Sequence, residues 1–432
     1  MHINSAANIF KFLVYSGIGI FMFFIPITIG KAETIPIDHL VTAVKGFSAE
    51  GARMYGLLVI VLGGLYPFYK KTWNKDKVTT VFSLLKLLGI VIGFMAFFKV
   101  GPSALMAKDM IPFLFNALVI SVGILVPIGS VFLAFLVGYG LMEFFGVLMR
   151  PIMVPVWKTP GRSAVDAVAS FVGSYSLALL ITNRVYKDGK YTTKEAAIIA
   201  TGFSTVSATF MIIVAKTLGI MHLWTQYFWI TMVVTFAVTA ITARIWPLSS
   251  KSDAYYNNQP GDPEDYKQGN IFVNAWEEAL VSANKSVPIG KNIVDNLKDG
   301  FVMAMGILPS IMSVGLIGLV LAKYTPIFDI IGYLFYPVTA LFNLPEPMLA
   351  AKACAVGIAE MFLPALLVAG APLVTKFVIG VVSISAILFF SASIPCILST
   401  EIPITIPEIV AIWFLRTLLS LILIIPIAYL II

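Results

Sequence analysis

One carboxylate, Glu360, stands inside an apolar stretch, GIAEMFLP (357–364). A carboxylate held in hydrocarbon is costly without a task, and the tasks open to it are binding a hydroxyl or amine, or carrying a coupling proton or cation. Ser174 lies 186 residues earlier in FVGSYSLALLITN (171–183), and each of the two follows a small residue, Gly173 or Ala359. Small residues let backbone come close at a tight hairpin tip, where freed amides can hold a polar ligand. Hydroxyls gather nearby in sequence: Tyr175 and Ser176 at the first tip, Ser204, Thr205 and Ser207 in TGFSTVSATF (201–210), and Ser383, Ser385, Ser391 and Ser393 in SISAILFFSASIP (383–395). Asn183 closes the first stretch and could read a polar substrate or cap a helix. The plainer readings are close helix packing for the serines and a Glu360 partnered by Lys352, eight residues earlier.

Such residues need elements that hold them in a membrane. Hydrophobic residues make up 59% of the 432-residue chain and charged residues 12%, with mean hydropathy +0.94. Too few ionic groups remain to cover a globular surface in water, so the solvent is a lipid bilayer. The net charge of +7 resides in short loops between apolar runs and forms no stripe for nucleic acid. Cys354 and Cys396 lie apart in apolar stretches and read as core. With only His2, His39 and His222, histidine chemistry and metal sites have little material. No P-loop is present, since SVPIGKN (286–292) lacks the leading glycine and hydroxyl, and there is no HExxH. The chain is therefore expected not to be an enzyme and to need no cofactor beyond a coupling H⁺ or Na⁺.

Segments long enough to cross run about 9–29, 81–98, 113–137, 196–218, 226–246, 301–321, 377–398 and 408–431, and 55–69 reads as a shorter span. The first of these follows Lys11 without a cleavage site and reads as a span and not a signal peptide. Two more apolar stretches, 164–182 and 349–369, carry Asp166 and three serines, or Lys352 and Glu360, and are predicted to be re-entrant hairpins lining a cavity. A polar stretch, 249–300, opens with SSKSDAYYNNQPGDPEDYKQG and continues into an amphipathic helix with Ile271, Phe272, Ala275, Trp276 and Leu280 on one face. It divides the membrane part in two.

The two parts repeat. LMEFFGVLMRP (141–151) matches IFDIIGYLFYP (327–337), and at the constant offset of 186 there are eight identities over positions 141–182, among them Gly146 with Gly332 and Pro151 with Pro337. GILVP (123–127) answers GILP (306–309), and TVSA (205–208) answers SISA (383–386). Seven basic residues occupy the loops of the first copy and three the same region of the second, which by the positive-inside rule sets the copies in opposite orientation. Asp166 and Lys352 hold equivalent positions and read as anchors, and Glu401 and Glu408 as caps.

The expected architecture is an all-α polytopic membrane protein built on an inverted repeat of spans, interfacial segments and re-entrant hairpins. N-terminal spans, about three helices, occupy 1–112, a first repeat 113–248, a cytoplasmic linker 249–300 and a second, inverted repeat 301–432.

The stretch GSYSLALLITNRVYKDGKYTTKEAAIIATGFSTVSATF (173–210), with EMFLP (360–364) and SASIPCIL (391–398), resembles the bacterial YjiH-type membrane proteins. These carry the nucleoside-recognition or Gate domain, here in both halves from about 113 to the C-terminus. The resemblance implies a relative of the concentrative nucleoside transporters, of ferrous-iron permease membrane domains and of spore-maturation membrane proteins, and it does not fix a substrate. Where the nucleoside carriers have a tip with Gln and Glu, the first tip here is GSYS, without carboxylate or amide.

Inverted repeats with broken helices near the midplane are the architecture of secondary transporters. The expected function is alternating-access transport of a small polar organic solute, nucleoside-like or zwitterionic, in the bacterial cytoplasmic (inner) membrane, as a monomer or homo-oligomer. The alternative is a non-carrier membrane component that gates or assembles a larger complex.

Overall fold

The computed structural model describes residues 5–432 except 26, 31, 75–76, 173–174, 207 and 265–268. The chain is helical apart from a two-stranded hairpin, β1 (Ile27–Ile29) and β2 (Ala32–Thr34). Helix α1 (Ala6–Met22) precedes it, so the first apolar run ends as a helix sooner than its composition predicts. Helices α2 (Pro36–Phe47), α3 (Ala49–Tyr69) and α4 (Lys77–Phe98) follow; α2 falls between the expected spans. Among the described residues six helices are long and apolar enough to cross a bilayer, including α3 and α4.

The first repeat runs through α5 (Ile111–Leu136), α6 (Leu141–Trp157), α7 (Ser163–Val172), α8 (Tyr175–Lys187), α9 (Thr193–Gly202), α10 (Ala208–Leu218) and α11 (Trp224–Thr242). After the linker helix α12 (Ile271–Lys285) come α13 (Ile289–Tyr324), α14 (Ile327–Gly332), α15 (Tyr336–Leu341), α16 (Pro347–Val356), α17 (Leu363–Leu367), α18 (Leu373–Ser385), α19 (Ser393–Leu398) and α20 (Ile406–Ile431). The correspondence is element for element: span, interfacial helix, hairpin, broken helix, span. The interfacial helix packs on the first arm of its hairpin in both copies, α6 on α7 and α14 on α16. Gly332 permits its contact, since a Cβ there would lie 3.2 Å from the Lys352 backbone, whereas a Cβ on Gly146 would meet the linker's Glu264 carboxylate at 2.6 Å.

Two segments expected to cross as continuous helices do not. The 196–218 run is broken at 203–206 and the 377–398 run at 386–392. Pro395 favours the second break, because in an unbroken helix its ring would meet the Ser391 carbonyl and it has no N–H to donate. The second break falls after Ser385 and not across SISA, so it pairs with the first through the FS of Phe203–Ser204 and Phe390–Ser391. Within it Ile387 has φ of +66°, a left-handed conformation that is strained for a β-branched residue and characteristic of functional sites.

The polar linker also ends earlier than expected. Its residues from Ile289 are the first turns of α13, which carries Asn292, Asn296 and Asp299 on a helix continuous with the span. On α12 the buried face is Ala275, Ala279, Leu280 and Ala283, and Trp276 meets Phe12 edge-on at 5.4 Å. Phe272, expected on that face, is 65% exposed, because the packed face turns toward the N-terminal helix and α6.

The copies are inverted. The first hairpin's base lies at the Leu136 end of α5, where Lys190 pairs with Glu143. The second hairpin's base lies at the Ile111 end, where Lys323 pairs with Asp109 at 2.6 Å in the loop that leads into α5. At 26 residues α5 is about 39 Å long, so the bases face opposite sides.

Candidate functional site

Two hairpins and two broken helices meet. Each hairpin is tied to the break of its own copy: Ser170 on α7 donates its hydroxyl to the Phe203 carbonyl at 2.6 Å. In the second copy, Phe390 and Ser391 donate their amides to the Ile358 and Ala359 carbonyls at 2.6 and 2.9 Å. Each hairpin then touches the broken helix of the other copy. Tyr175, which begins α8, stands edge-on to Phe389 in the second break, with ring centres 5.7 Å apart. Phe362, just past the second tip, packs on Phe210 of α10 at 6.1 Å. Arms α8 and α17 correspondingly contact α19 and α10. The sequence offset alone placed the tips at equivalent positions; in the fold Tyr175, which follows the first, and Phe362, which follows the second, each meet the broken helix of the other copy.

Glu360 is buried, and its Oε2 accepts the amides of Phe362 at 2.6 Å and Leu363 at 3.1 Å, capping α17. Lys352 does not pair with it. Lys352 bonds Asp329 on α14 at 2.5 Å, so the carboxylate at the tip has no basic partner among the described residues.

The hydroxyls divide into two kinds. Ser204, Thr205 and Ser391 are buried at the breaks with hydroxyl oxygens that find no hydrogen-bond partner among the described residues. Buried polar groups are paired as a rule, so three unpaired hydroxyls at the two breaks mark a place built for something else to bond. Thr417, on α20, is unpaired in the same way and lines a small cavity with Ser383, although Ser383 itself donates to the Gly380 carbonyl at 3.0 Å. The others serve the backbone or each other. Ser393 accepts the Phe389 amide at 2.9 Å and donates to Ile387, holding the second break in shape. Ser385 donates to Ser420 at 2.7 Å. Ser176 is buried on α8. Ser174 and Ser207 lie outside the described residues. Asn183 accepts the Glu401 amide at 2.8 Å, so it joins the first hairpin to the segment after α19, and it also lines a polar cleft with Asp299 and Glu401.

The bases of the hairpins carry the ionic groups. At the first, Glu264 from the linker accepts the amides of Gly161 at 2.8 Å and Arg162 at 2.7 Å and pairs with the Arg162 side chain at 3.2 Å. Burial opposes the charge of Arg162, but the adjacent Glu264 and Glu143 carboxylates outweigh it and raise its pKa. For Glu143, burial likewise opposes ionisation, and the charges of Lys190 and Arg162 overcome this and hold its carboxyl below the usual range. A polar cavity of about 310 Å³ opens here, lined by Glu143, Arg162, Lys190 and Asn296 among others. Asp166 is buried beside it and accepts from Thr182 and Tyr191, each at 2.6 Å, as the anchor its position suggested. A second cavity, of about 290 Å³, opens at the other hairpin's base, lined by Asp109, Lys323, Lys352 and Leu363 among others. Glu408 completes a capping box with Thr405 at the start of α20.

One residue the spacing left without a role belongs to this centre. Arg416 on α20 is wholly buried and donates to the Ser385 carbonyl, which ends the helix half before the second break, and to Thr239 of α11, whose hydroxyl lies 2.8 Å from the Gly202 carbonyl before the first. The sequence displays an arginine in an apolar run; its partners, Ser385 and Thr239, lie 31 and 177 residues away and carry no mark.

Residues 119–221 match the Gate family, described as nucleoside recognition, which spans the first hairpin and first broken helix. A protein of Alkalihalophilus pseudofirmus described as uncharacterized is 30% identical over 440 residues, covering 96% of this chain and 93% of its own. Among solved structures, a doubly substituted CNTnw in an outward-facing state aligns over 97% of this chain and 99% of its own, with a TM-score of 0.48 and 13% identity.

Proposed function

The chain belongs to the family of the Alkalihalophilus pseudofirmus protein and carries a Gate domain, and from that premise we propose that it is a secondary active transporter of a small polar organic solute. The solute is nucleoside-like or zwitterionic, movement is by alternating access, and coupling is to H⁺ or Na⁺ across the bacterial cytoplasmic membrane. The observation that carries this reading is the set of buried hydroxyls of Ser204 and Thr205 at one break and Ser391 at the other, without partners among the described residues, together with the buried carboxylate of Glu360, next in sequence to Ala359, whose carbonyl accepts the Ser391 amide. A ligand rich in hydroxyl and amide groups would satisfy these, and each hairpin would close it from one side. The two base cavities, at opposite ends of α5, are the approaches such a cycle needs.

The test is thermal unfolding of the purified protein with nucleosides, nucleobases, amino acids and dipeptides, with and without Na⁺ and at two pH values. A solute at a hundredfold above its Kd stabilises the folded state by about 2.7 kcal/mol. One class should raise the Tm, and Glu360→Gln should abolish the shift. No shift with any class overturns the carrier reading in favour of a component of a larger membrane complex.

A further inference from the structure

Arg416 is 0% exposed near the middle of α20, and no carboxylate among the described residues pairs with it. An uncompensated guanidinium at that depth is expensive, so something must offset the charge. What surrounds it is backbone. Nε and Nη2 donate to the Ser385 carbonyl at 3.0 and 2.8 Å, and Nη2 reaches the Thr235 carbonyl at 3.4 Å. Nη1 donates to the Thr239 hydroxyl at 3.0 Å, and that hydroxyl in turn bonds the Gly202 carbonyl at 2.8 Å. Ser385 is the last residue of α18 and Gly202 the last of α9. The guanidinium thus touches the carboxyl end of α18 directly and reaches that of α9 through the Thr239 hydroxyl, which lies 2.8 Å from both the Gly202 and the Thr235 carbonyls. Each end carries roughly half a negative charge, so together they present about one. Gly202 is needed for the approach, because a Cβ there would collide with Thr239.

In secondary transporters the carbonyl ends of broken helices are where a bound cation is coordinated. We propose that Arg416 is a positioning residue that takes the place of such a cation: a covalently tethered positive charge that neutralises the carbonyl ends at both breaks and keeps them together. No exchangeable ion is then required at this point, and any Na⁺ that drives transport binds elsewhere in the centre. The inference gains its meaning from the carrier reading, but its test uses no solute. Failure of one therefore leaves the other standing.

The full-length protein and Arg416→Ala are unfolded thermally in choline chloride, with choline replaced stepwise at constant ionic strength by Na⁺, K⁺, Li⁺ or low-millimolar guanidinium. The expected result is a wild-type Tm indifferent to the replacement and a lowered variant Tm that climbs saturably with guanidinium or one small cation. A fold-stabilising arginine without this role would give no such recovery. A variant Tm that does not respond, that rises equally in choline, or that responds no more than the wild type overturns the proposal. Should Arg416→Ala not fold, Arg416→Lys and Arg416→Met are compared for folded yield. More folded protein with lysine supports the requirement for charge, and equal yields or an advantage for methionine overturn it.

Discussion

The two hairpins are copies of one element held in different ways. The first is fastened at its base by buried polar groups: Glu264 fills the start of α7, Lys190 pairs with Glu143, and Asp166 binds Thr182 and Tyr191. The second is fastened by Lys352–Asp329 and Lys323–Asp109, whose side chains are 33–52% exposed. Exposed pairs contribute little, whereas a buried charge that loses its partner is left at heavy cost. Repetition therefore fixes the shape of the hairpin but not the cost of moving it.

Glu264→Ala tests the first half of that contrast and carries the largest expected effect. It strands Arg162 and the Gly161 amide in a buried site, for a loss of about 3–5 kcal/mol that thermal or denaturant unfolding would read. A loss below about 1 kcal/mol would remove the distinction between the hairpins. Glu360→Ala comes next. It takes away the cap of α17, for a loss of about 1–2 kcal/mol and faster amide hydrogen exchange confined to the second tip. Exchange that quickens equally in α8 would show that the tips unfold together. The smallest effect belongs to Lys352→Ala, where the exposed pair with Asp329 should account for less than about 1 kcal/mol of stability. A Tm drop matching that of Glu264→Ala would mean the second base is as firmly locked as the first.

Particular residues show how far the chain could be read in advance. The Gly146 and Gly332 identity marks a close approach in both copies, but by different partners: the linker's Glu264 in the first and the Lys352 backbone of the hairpin arm in the second. The small residue before Glu360 and the polar interruption of two apolar stretches likewise announced hairpins, since a break in hydrocarbon must be compensated locally. The helix breaks were visible only as serine clusters within runs long enough to span. Length and hydropathy do not record where backbone bonds stop, and the stopping point depends on Pro395 and on bonds from hairpin to break. Among the nominated hydroxyls, nothing in spacing separates Ser391, which is unpaired, from Ser393, which caps the backbone two residues on.

The membrane setting, the repeat, its inversion and the pair of hairpins were determined by sequence alone, because each follows from composition, periodicity or loop charge summed over many residues. Which carboxylate stays unpaired by a base, which hydroxyls lack partners and what Arg416 neutralises were decided only by tertiary structure. These depend on single contacts between helices far apart in the chain, and a contact of that kind leaves no local trace in either partner.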